Sequence, residues 1–260
     1  MKLGSNIWSF HKAVNAKKIT QIQWIEKCAK ELDHDGIELL DYGFPTTNMD
    51  YLKKVKKLAT DLHLEIYAIS CASRFGKENK KELREQIEYV KKWIDIGYFF
   101  GAPIVRFFAG TPQGEFEKGW ENMAKATIEC VKYAQKNGII LAVENHNHGG
   151  FMQTSKEVLR LAKEVNSPYF KVCLDTGNFK DLYPSIEKTI KIAAFVHTKL
   201  YVLDKNGVEK KLDYERIFKI LKKAKYTGYL SIEFEGEENE FTAMKRGCSY
   251  LRRMINKYAK

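Results

Sequence analysis

The sequence predicts an α/β fold in which eight parallel strands close into a (β/α)8 barrel, formed as a single domain over residues 1–260. Strand-length apolar runs alternate with amphipathic helical patterns eight times, which is typical of repeated β-then-α units. Helix-to-strand links are short, as at Asn137-Gly138, whereas strand-to-helix links are longer and carry unusual residues. A chain of 260 residues is an ordinary length for one such barrel.

The strands are predicted from short apolar runs that are bounded by turn residues. Barrel strands are buried on both faces, so nearly continuous apolar runs are expected. In chain order the strands are predicted at Leu3–Trp8, Gly36–Leu40, Leu64–Ser70, Pro103–Phe108, Ile139–Glu144, Phe170–Asp175, Ala194–Lys199 and Tyr229–Phe234.

The helices are predicted from apolar residues spaced three and four apart, as at Ile22, Ile25, Cys28, Ala29 and Leu32. Thr20 is a candidate N-cap for the first of them. In chain order the helices are predicted at Ile19–Leu32, Asn48–Leu62, Lys80–Phe100, Phe116–Asn137, Thr154–Val165, Ser185–Ile192, Tyr214–Ala224 and Asn239–Tyr258.

Composition favours a cytoplasmic protein with no membrane partner. Hydrophobic residues make up 44% of the chain and charged residues 30%, and no apolar run approaches the roughly 20 residues of a membrane span. The N-terminus lacks the apolar core of a signal peptide. The five cysteines are scattered without C-x-x-C spacing, as expected for reduced thiols.

A net charge of +11 raises the question of nucleic-acid binding. The excess comes mainly from lysine pairs in helical patterns, such as Lys53-Lys54 and Lys91-Lys92, without clustered Arg or interleaved aromatics. A solvated Lys-rich surface is therefore preferred over a groove that follows phosphates, and no nucleic-acid partner is expected.

Four successive predicted strands end in side chains that can bind metals. These are Glu144, Asp175, His197 and Glu233. The period-two alternation of strands points them into the barrel mouth, where the carboxyl ends of neighbouring strands meet. Three carboxylates and one imidazole suit a hard or borderline divalent ion. Taken alone, Glu144 needs only a cation or a helix N-terminus nearby, because an unpaired buried carboxylate costs several kcal/mol.

With these residues the chain resembles the xylose isomerase-like TIM-barrel superfamily, the group of sugar phosphate isomerases and epimerases. The resemblance covers nearly the whole chain and implies that the four residues bind one divalent ion, chiefly Mn2+ or Mg2+, with Zn2+ and Co2+ as further choices. It implies that Glu144 and Glu233 also exchange protons with the substrate. Its most specific parts are Val143-Glu144-Asn145-His146, Leu174-Asp175-Thr176-Gly177-Asn178, Val196-His197-Thr198-Lys199 and Ser231-Ile232-Glu233-Phe234-Glu235.

The chemistry implied by this resemblance is proton transfer beside a carbonyl through a metal-stabilised enediolate. Two carboxylates on opposite faces of the carbon can remove and return the proton. The expected function is thus a metal-dependent isomerase or epimerase of a small sugar, sugar phosphate or sugar derivative. A dehydratase or lyase acting on a keto-inositol or keto-sugar is the alternative, because expulsion of a β-hydroxyl can follow the same first step.

Further site residues are predicted from their positions near the strand ends. His146 and Lys199 have inward parity and are candidates for proton transfer and substrate binding, respectively. His146 could instead be a hydrogen-bond partner behind the metal ligands, and Lys199 an ion-pair partner of Glu235 or Glu233. The other predicted substrate-binding residues are Asn178, Trp8, Glu38 and Arg106.

The chain departs from ketose 3-epimerases at three positions of the family pattern. Asn178 replaces a substrate-binding His, Gly150 replaces a Glu, and Leu203 replaces an Arg. These differences argue against a free ketohexose as the substrate.

A remote alternative is an apurinic endonuclease of the endonuclease IV type, which shares the barrel and would suit the positive charge. Such enzymes recruit His residues from strands three and four to a zinc cluster. Here those strand ends read Ser70-Cys71-Ala72 and Phe107-Phe108-Ala109. A non-catalytic sugar-binding barrel is opposed by the presence of all four ligand types, and a homo-oligomer is compatible with the sequence.

Overall fold

The computed structural model describes residues 1–146 and 149–258. Within them eight strands form a closed barrel in the order of the sequence, which confirms the predicted single-domain (β/α)8 fold. The strands are β1 (Lys2–Asn6), β2 (Gly36–Leu40), β3 (Glu65–Cys71), β4 (Ile104–Phe108), β5 (Ile140–Glu144), β6 (Phe170–Asp175), β7 (Ala193–Leu200) and β8 (Tyr229–Phe234).

The α-helices of the described residues follow the strands as predicted, with one additional short helix after β1. Across the described ranges, no helix combines the length and the apolar character that a membrane crossing needs. The helices are α1 (His11–Asn15), α2 (Gln21–Lys30), α3 (Met49–Asp61), α4 (Lys80–Phe100), α5 (Phe116–Lys136), α6 (Ser155–Val165), α7 (Tyr183–Thr189), α8 (Tyr214–Lys223) and α9 (Glu240–Tyr258).

The end of β1 differs from the prediction for a local reason. The strand was predicted to reach Trp8 but ends at Asn6, whose side-chain oxygen accepts a hydrogen bond from the Trp8 backbone N–H at 3.1 Å. This cap starts a 3₁₀ turn over Ile7–Phe10, because a short polar side chain that bonds its own backbone competes with the strand. Trp8 therefore lies in a turn beyond the strand.

Two helix starts show how local sequence sets the helix boundaries. Thr20 caps α2 as predicted, in a capping box in which its side chain and that of Gln23 bond each other's backbone. Helix α7 begins at Tyr183, earlier than predicted, with Pro184 in its first turn, where a missing N–H costs nothing. Its predicted last turn, Ile190–Ile192, is a 3₁₀ turn.

Residue contacts group the chain into two compact units. The first unit contains residues 1–67 and 196–260, and the second contains residues 68–195. In the first unit β1 pairs in parallel with both β2 and β8, and β7 pairs with β8. In the second unit β4 pairs with β3 and β5, and β5 pairs with β6.

His34 is a buried histidine of the first unit that lies outside the predicted site. Its Nε2 lies 2.9 Å from Ser5 Oγ and its Nδ1 lies 3.1 Å from the Leu32 carbonyl oxygen. Since a carbonyl only accepts, Nδ1 carries the proton and Nε2 accepts from the Ser5 hydroxyl. Burial is the main cause that lowers the pKa of His34 from its usual 6.5 to about 4.

Because of His34, the free energy of unfolding should decrease as the pH is lowered. The unfolded chain protonates this histidine below its usual pKa of 6.5, whereas the folded protein resists protonation until about 4. The stability that the neutral ring contributes is complete above the higher value and is lost toward the lower one, by about 3 kcal/mol. Urea unfolding is measured between these two pH values for the parent and for His34→Gln. As the pH is lowered, the free energy of unfolding of the variant should decrease less than that of the parent, by this same amount. Parallel losses in both proteins would contradict this assignment.

Candidate functional site

Glu38 lies at the centre of a buried polar network in the first unit. It is on β2 and has no solvent exposure. Its carboxylate lies 2.9 Å from His197 Nε2, 2.6 Å from Ser231 Oγ and 3.1 Å from Asn6 Nδ2. All three groups can donate hydrogen bonds, which suits an ionised carboxylate that only accepts.

Glu233, on β8, belongs to the same network. Its Oε1 accepts a hydrogen bond from Asn6 Nδ2 at 2.7 Å, and its Oε2 accepts one from Lys199 Nζ at 2.7 Å. His197 Nδ1 lies 3.3 Å from Glu233 Oε1. The His197 ring is thus placed between the carboxylates of Glu38 and Glu233.

Lys199 connects this network to Trp8. Its ammonium group also lies 3.2 Å from Glu235 Oε1, which accepts a hydrogen bond from Trp8 Nε1 at 2.8 Å. The indole ring of Trp8 stacks on His11 with the ring centroids 4.9 Å apart. The ion pairs considered for Lys199 in the sequence are therefore present, while substrate binding by Lys199 and Trp8 stays a prediction.

In the second unit, Glu144 is buried at the end of β5 beside a cation. Its Oε2 lies 3.1 Å from Arg106 Nε, and its Oε1 lies 3.4 Å from Asn178 Nδ2. The Arg106 guanidinium also stacks over the Phe108 ring at 4.4 Å. The sequence predicted a cation or a helix N-terminus beside Glu144, and in the structure Arg106 is such a cation.

Asp175 is held at the tip of β6 by Asn145. The Asn145 side chain donates to the Asp175 carbonyl at 3.0 Å and accepts from the Asp175 N–H at 2.7 Å. The Gly177 N–H donates to Asp175 Oδ1 at 2.7 Å. The two Asn145 bonds form a clamp that holds the ends of β5 and β6 in register. The Gly177 bond orients the Asp175 carboxylate.

A cavity of about 150 Å3 opens beside Glu144 in the second unit. Phe108, Phe151 and Met152 contribute apolar surface, while Arg74 and His146 add polar groups. The His146 and Phe108 rings pack in a T-shaped arrangement, with the centroids 5.0 Å apart. The polar sequence that follows His146 includes Asn147 and His148, which lie outside the described residues.

The four predicted metal ligands form a group that could hold an ion. Glu144, Asp175, His197 and Glu233 are all buried, and one candidate ligand atom of each lies within 4.8 Å of the others. Three carboxylates and one imidazole are a donor set that suits divalent ions. The residues present therefore fit the ion that the sequence implied.

Three buried contributors to the site were not among the site residues predicted from the sequence. Asn6, Ser231 and Asn145 each bond a carboxylate-bearing residue or its backbone. The sequence indicates these residues only weakly. Each is a small polar residue at or next to an apolar strand, where a buried polar group requires a hydrogen-bond partner. The partner itself depends on which strands are neighbours.

Comparison with known proteins identifies relatives across most of the chain. The sequence model of the family described as xylose isomerase-like TIM barrel matches residues 27–254. An inosose dehydratase of Glaesserella parasuis is 26% identical over 227 residues, covering 69% of this chain and 74% of the relative. An L-ribulose-5-phosphate 3-epimerase of Shigella flexneri is 22% identical over 262 residues, covering 90% of both.

A solved structure shares the whole fold. The D-psicose 3-epimerase of Clostridium cellulolyticum, crystallised with D-tagatose, superimposes with a TM-score of 0.81 over 100% of both chains. Its sequence identity to this chain is 15%, so this similarity concerns the fold.

Removal of Arg106 should strongly destabilise the protein. We expect Arg106→Met to lower the free energy of unfolding by about 3–5 kcal/mol, because it leaves the buried carboxylate of Glu144 without its arginine. Adding Glu144→Gln should recover part of the loss, since the remaining side chain is neutral. Denaturant unfolding of the two single variants and the double variant measures this coupling.

Arg160 provides the matched control. It also stacks on an aromatic ring, that of Trp120, and also pairs with a carboxylate, that of Glu117, but this pair is exposed. Arg160→Met, which also removes the exposed pair with Glu164, should therefore lower the free energy of unfolding far less than Arg106→Met. Equal decreases in the free energy of unfolding for Arg106→Met and Arg160→Met would show that the buried ion pair contributes no more to stability than the exposed one.

Proposed function

We propose, from the membership of this chain in the xylose isomerase-like TIM barrel family, that it is a divalent-metal-dependent isomerase or epimerase of sugars or sugar phosphates. The observation that carries the proposal is the buried group of Glu144, Asp175, His197 and Glu233 on four successive strands. The two curated relatives, whose names specify an epimerase and a dehydratase, support this class of chemistry.

The proposed metal ligands are Glu144, Asp175, His197 and Glu233. Mn2+ or Mg2+ is the expected ion, because carboxylate oxygens dominate the set, while Zn2+ and Co2+ also accept imidazole. When bound, the ion supplies Lewis-acid polarisation of a substrate carbonyl.

Glu144 and Glu233 are the proposed proton-transfer groups. Each is a buried carboxylate, and Glu233 is contacted by two donors, Asn6 and Lys199, which suits its ionised, proton-accepting form. Removal of the proton beside a carbonyl by one carboxylate and its return on the other face would epimerise the carbon. His146 lines the cavity beside Glu144 and is the next candidate for moving a proton.

The substrate is proposed to be a polyhydroxylated small molecule. Trp8 offers a half-buried aromatic surface, and Lys199, Asn178 and Arg106 offer donors to hydroxyl or carbonyl oxygens. Arg74, at the cavity beside Glu144, offers a charge that would suit a phosphate or carboxylate group on the substrate.

A dehydratase acting on a keto-inositol or keto-sugar is the second candidate. The similarity to an inosose dehydratase favours it. The backbone packing at Gly150 separately argues against a ketose 3-epimerase. A Cβ there would lie 3.0 Å from the His146 carbonyl oxygen and 3.2 Å from that of Gly110. The position that carries Glu in the ketose 3-epimerase pattern thus has little room for a side chain.

Further features of the proposed enzyme follow from its sequence. We propose a cytoplasmic enzyme of one domain over residues 1–260, without a nucleic-acid partner and compatible with a homo-oligomer. The ends of β3 and β4, at Cys71 and Phe108, carry no histidine for a zinc cluster of the endonuclease IV type.

Isotope exchange tests the proposed function on several classes of substrate at once. Mn2+-loaded protein is incubated in D2O with a panel of free ketoses, sugar phosphates and inososes, and products are followed by NMR and mass spectrometry. We expect deuterium to enter beside the carbonyl of one class, because reversible proton removal exchanges that hydrogen with solvent. Loss of water from an inosose would instead select the dehydratase.

Glu233→Gln is the control for this assay. It keeps one oxygen ligand and the side-chain shape but removes the proton acceptor, so exchange should fall by at least about 100-fold. Mn2+ content is measured in the same sample to separate lost chemistry from lost metal. Absence of exchange across the panel in Mn2+-loaded parent protein, or incision of abasic duplex DNA at physiological salt, would contradict the proposed function.

A further inference from the structure

We propose that Glu38 is a positioning residue, which holds the ring proton of His197 on Nε2 and thereby presents Nδ1 as the metal-binding nitrogen. This inference rests on the proposed function, because it concerns the same metal site. It differs from the substrate-binding role predicted for Glu38 from the sequence, which stays a prediction.

The geometry around His197 carries the assignment. Its Nε2 lies 2.9 Å from Oε2 and 3.1 Å from Oε1 of Glu38, so both carboxylate oxygens face the same ring nitrogen. His197 and Glu38 are both fully buried. A carboxylate accepts hydrogen bonds only, so Nε2 must be the donor.

A second carboxylate faces the other ring nitrogen but is a weaker competitor for the proton. Glu233 Oε1 lies 3.3 Å from His197 Nδ1. That oxygen already accepts from Asn6 at 2.7 Å, and the other oxygen of Glu233 accepts from Lys199 at 2.7 Å. The shorter, double-oxygen contact with Glu38 therefore holds a proton on Nε2, which leaves Nδ1, on the side of Glu233, as the nitrogen available to an ion.

Strand register fixes this arrangement. Asn6 of β1 is the direct neighbour of Glu38 on β2, and His197 of β7 is the neighbour of Ser231 on β8. Asn6 cannot turn its amide, because its oxygen accepts from the Trp8 N–H at 3.1 Å and leaves Nδ2 for the two glutamates. Ser231 holds the Glu38 carboxylate from another side at 2.6 Å.

The consequence for the metal is both geometric and electronic. A carboxylate behind a ligating histidine sets the tautomer and ring orientation, and it raises the basicity of the ligand nitrogen. Loss of such partners typically weakens metal affinity by about 10- to 100-fold. In Glu38→Gln the neutral amide oxygen is a weaker acceptor for the Nε2 proton, so Glu233, which faces Nδ1, competes more strongly for a proton at the ligand atom.

The test compares the parent with Glu38→Gln and with Ser9→Ala. Ser9 is equally buried, but its hydroxyl bonds the β8 backbone at Ile232 and Phe234. Mn2+ affinity is measured by electron paramagnetic resonance and by calorimetry. We expect an affinity about 10- to 100-fold weaker in Glu38→Gln and unchanged affinity in Ser9→Ala. Unchanged affinity in Glu38→Gln, or an equal loss in Ser9→Ala, would overturn the positioning role.

A second measurement needs no variant and therefore does not depend on whether Glu38→Gln folds. Nitrogen-15 NMR of metal-free parent protein in mildly alkaline buffer reports whether each ring nitrogen of His197 carries a proton. The proton should be on Nε2, and a proton on Nδ1 would overturn the inference. A parent protein that binds no Mn2+ would refute the proposed metal site itself, whereas equal binding by the parent and Glu38→Gln refutes only the role of Glu38.

Discussion

The cost of burying carboxylates on the strands of the barrel is the constraint on which the rest of this structure depends. Glu38, Glu144, Asp175 and Glu233 are all buried, and an ionised carboxylate without donors or a cation would cost several kcal/mol. The structure answers each with specific partners: three donors around Glu38, Arg106 beside Glu144, the Gly177 N–H beside Asp175, and Asn6 and Lys199 beside Glu233. These contacts allow the carboxylates to stay ionised while they are buried.

In each compact unit the proposed metal ligands are accompanied by residues that orient them. In the second unit the Asn145 clamp fixes the backbone of Asp175, and in the first unit Glu38 fixes the ring of His197. Ligands whose orientation is set before binding lose less freedom when an ion arrives. Family membership indicates the class of chemistry, whereas these contacts indicate how this chain would carry it out.

The sequence was sufficient to predict the barrel, because the alternation of strands and helices is a local property, and to propose four ligands on its last four strands. It was not sufficient for the partners of those ligands. The bond from Asn6 to Glu38 depends on β1–β2 register, and the position of Ser231 beside His197 depends on β7–β8 register. The early end of β1 also escaped prediction, since the Asn6 cap overrode the apolar run.

The central claim is that one divalent ion binds to residues of four successive strands, β5 to β8, and anomalous diffraction from crystals grown with Mn2+ tests it most directly. We expect a single strong peak within about 2.0 to 2.6 Å of oxygens of Glu144, Asp175 and Glu233 and of His197 Nδ1. Absence of a peak in crystals of protein saturated with Mn2+, or a peak bound only by other residues, would contradict the account.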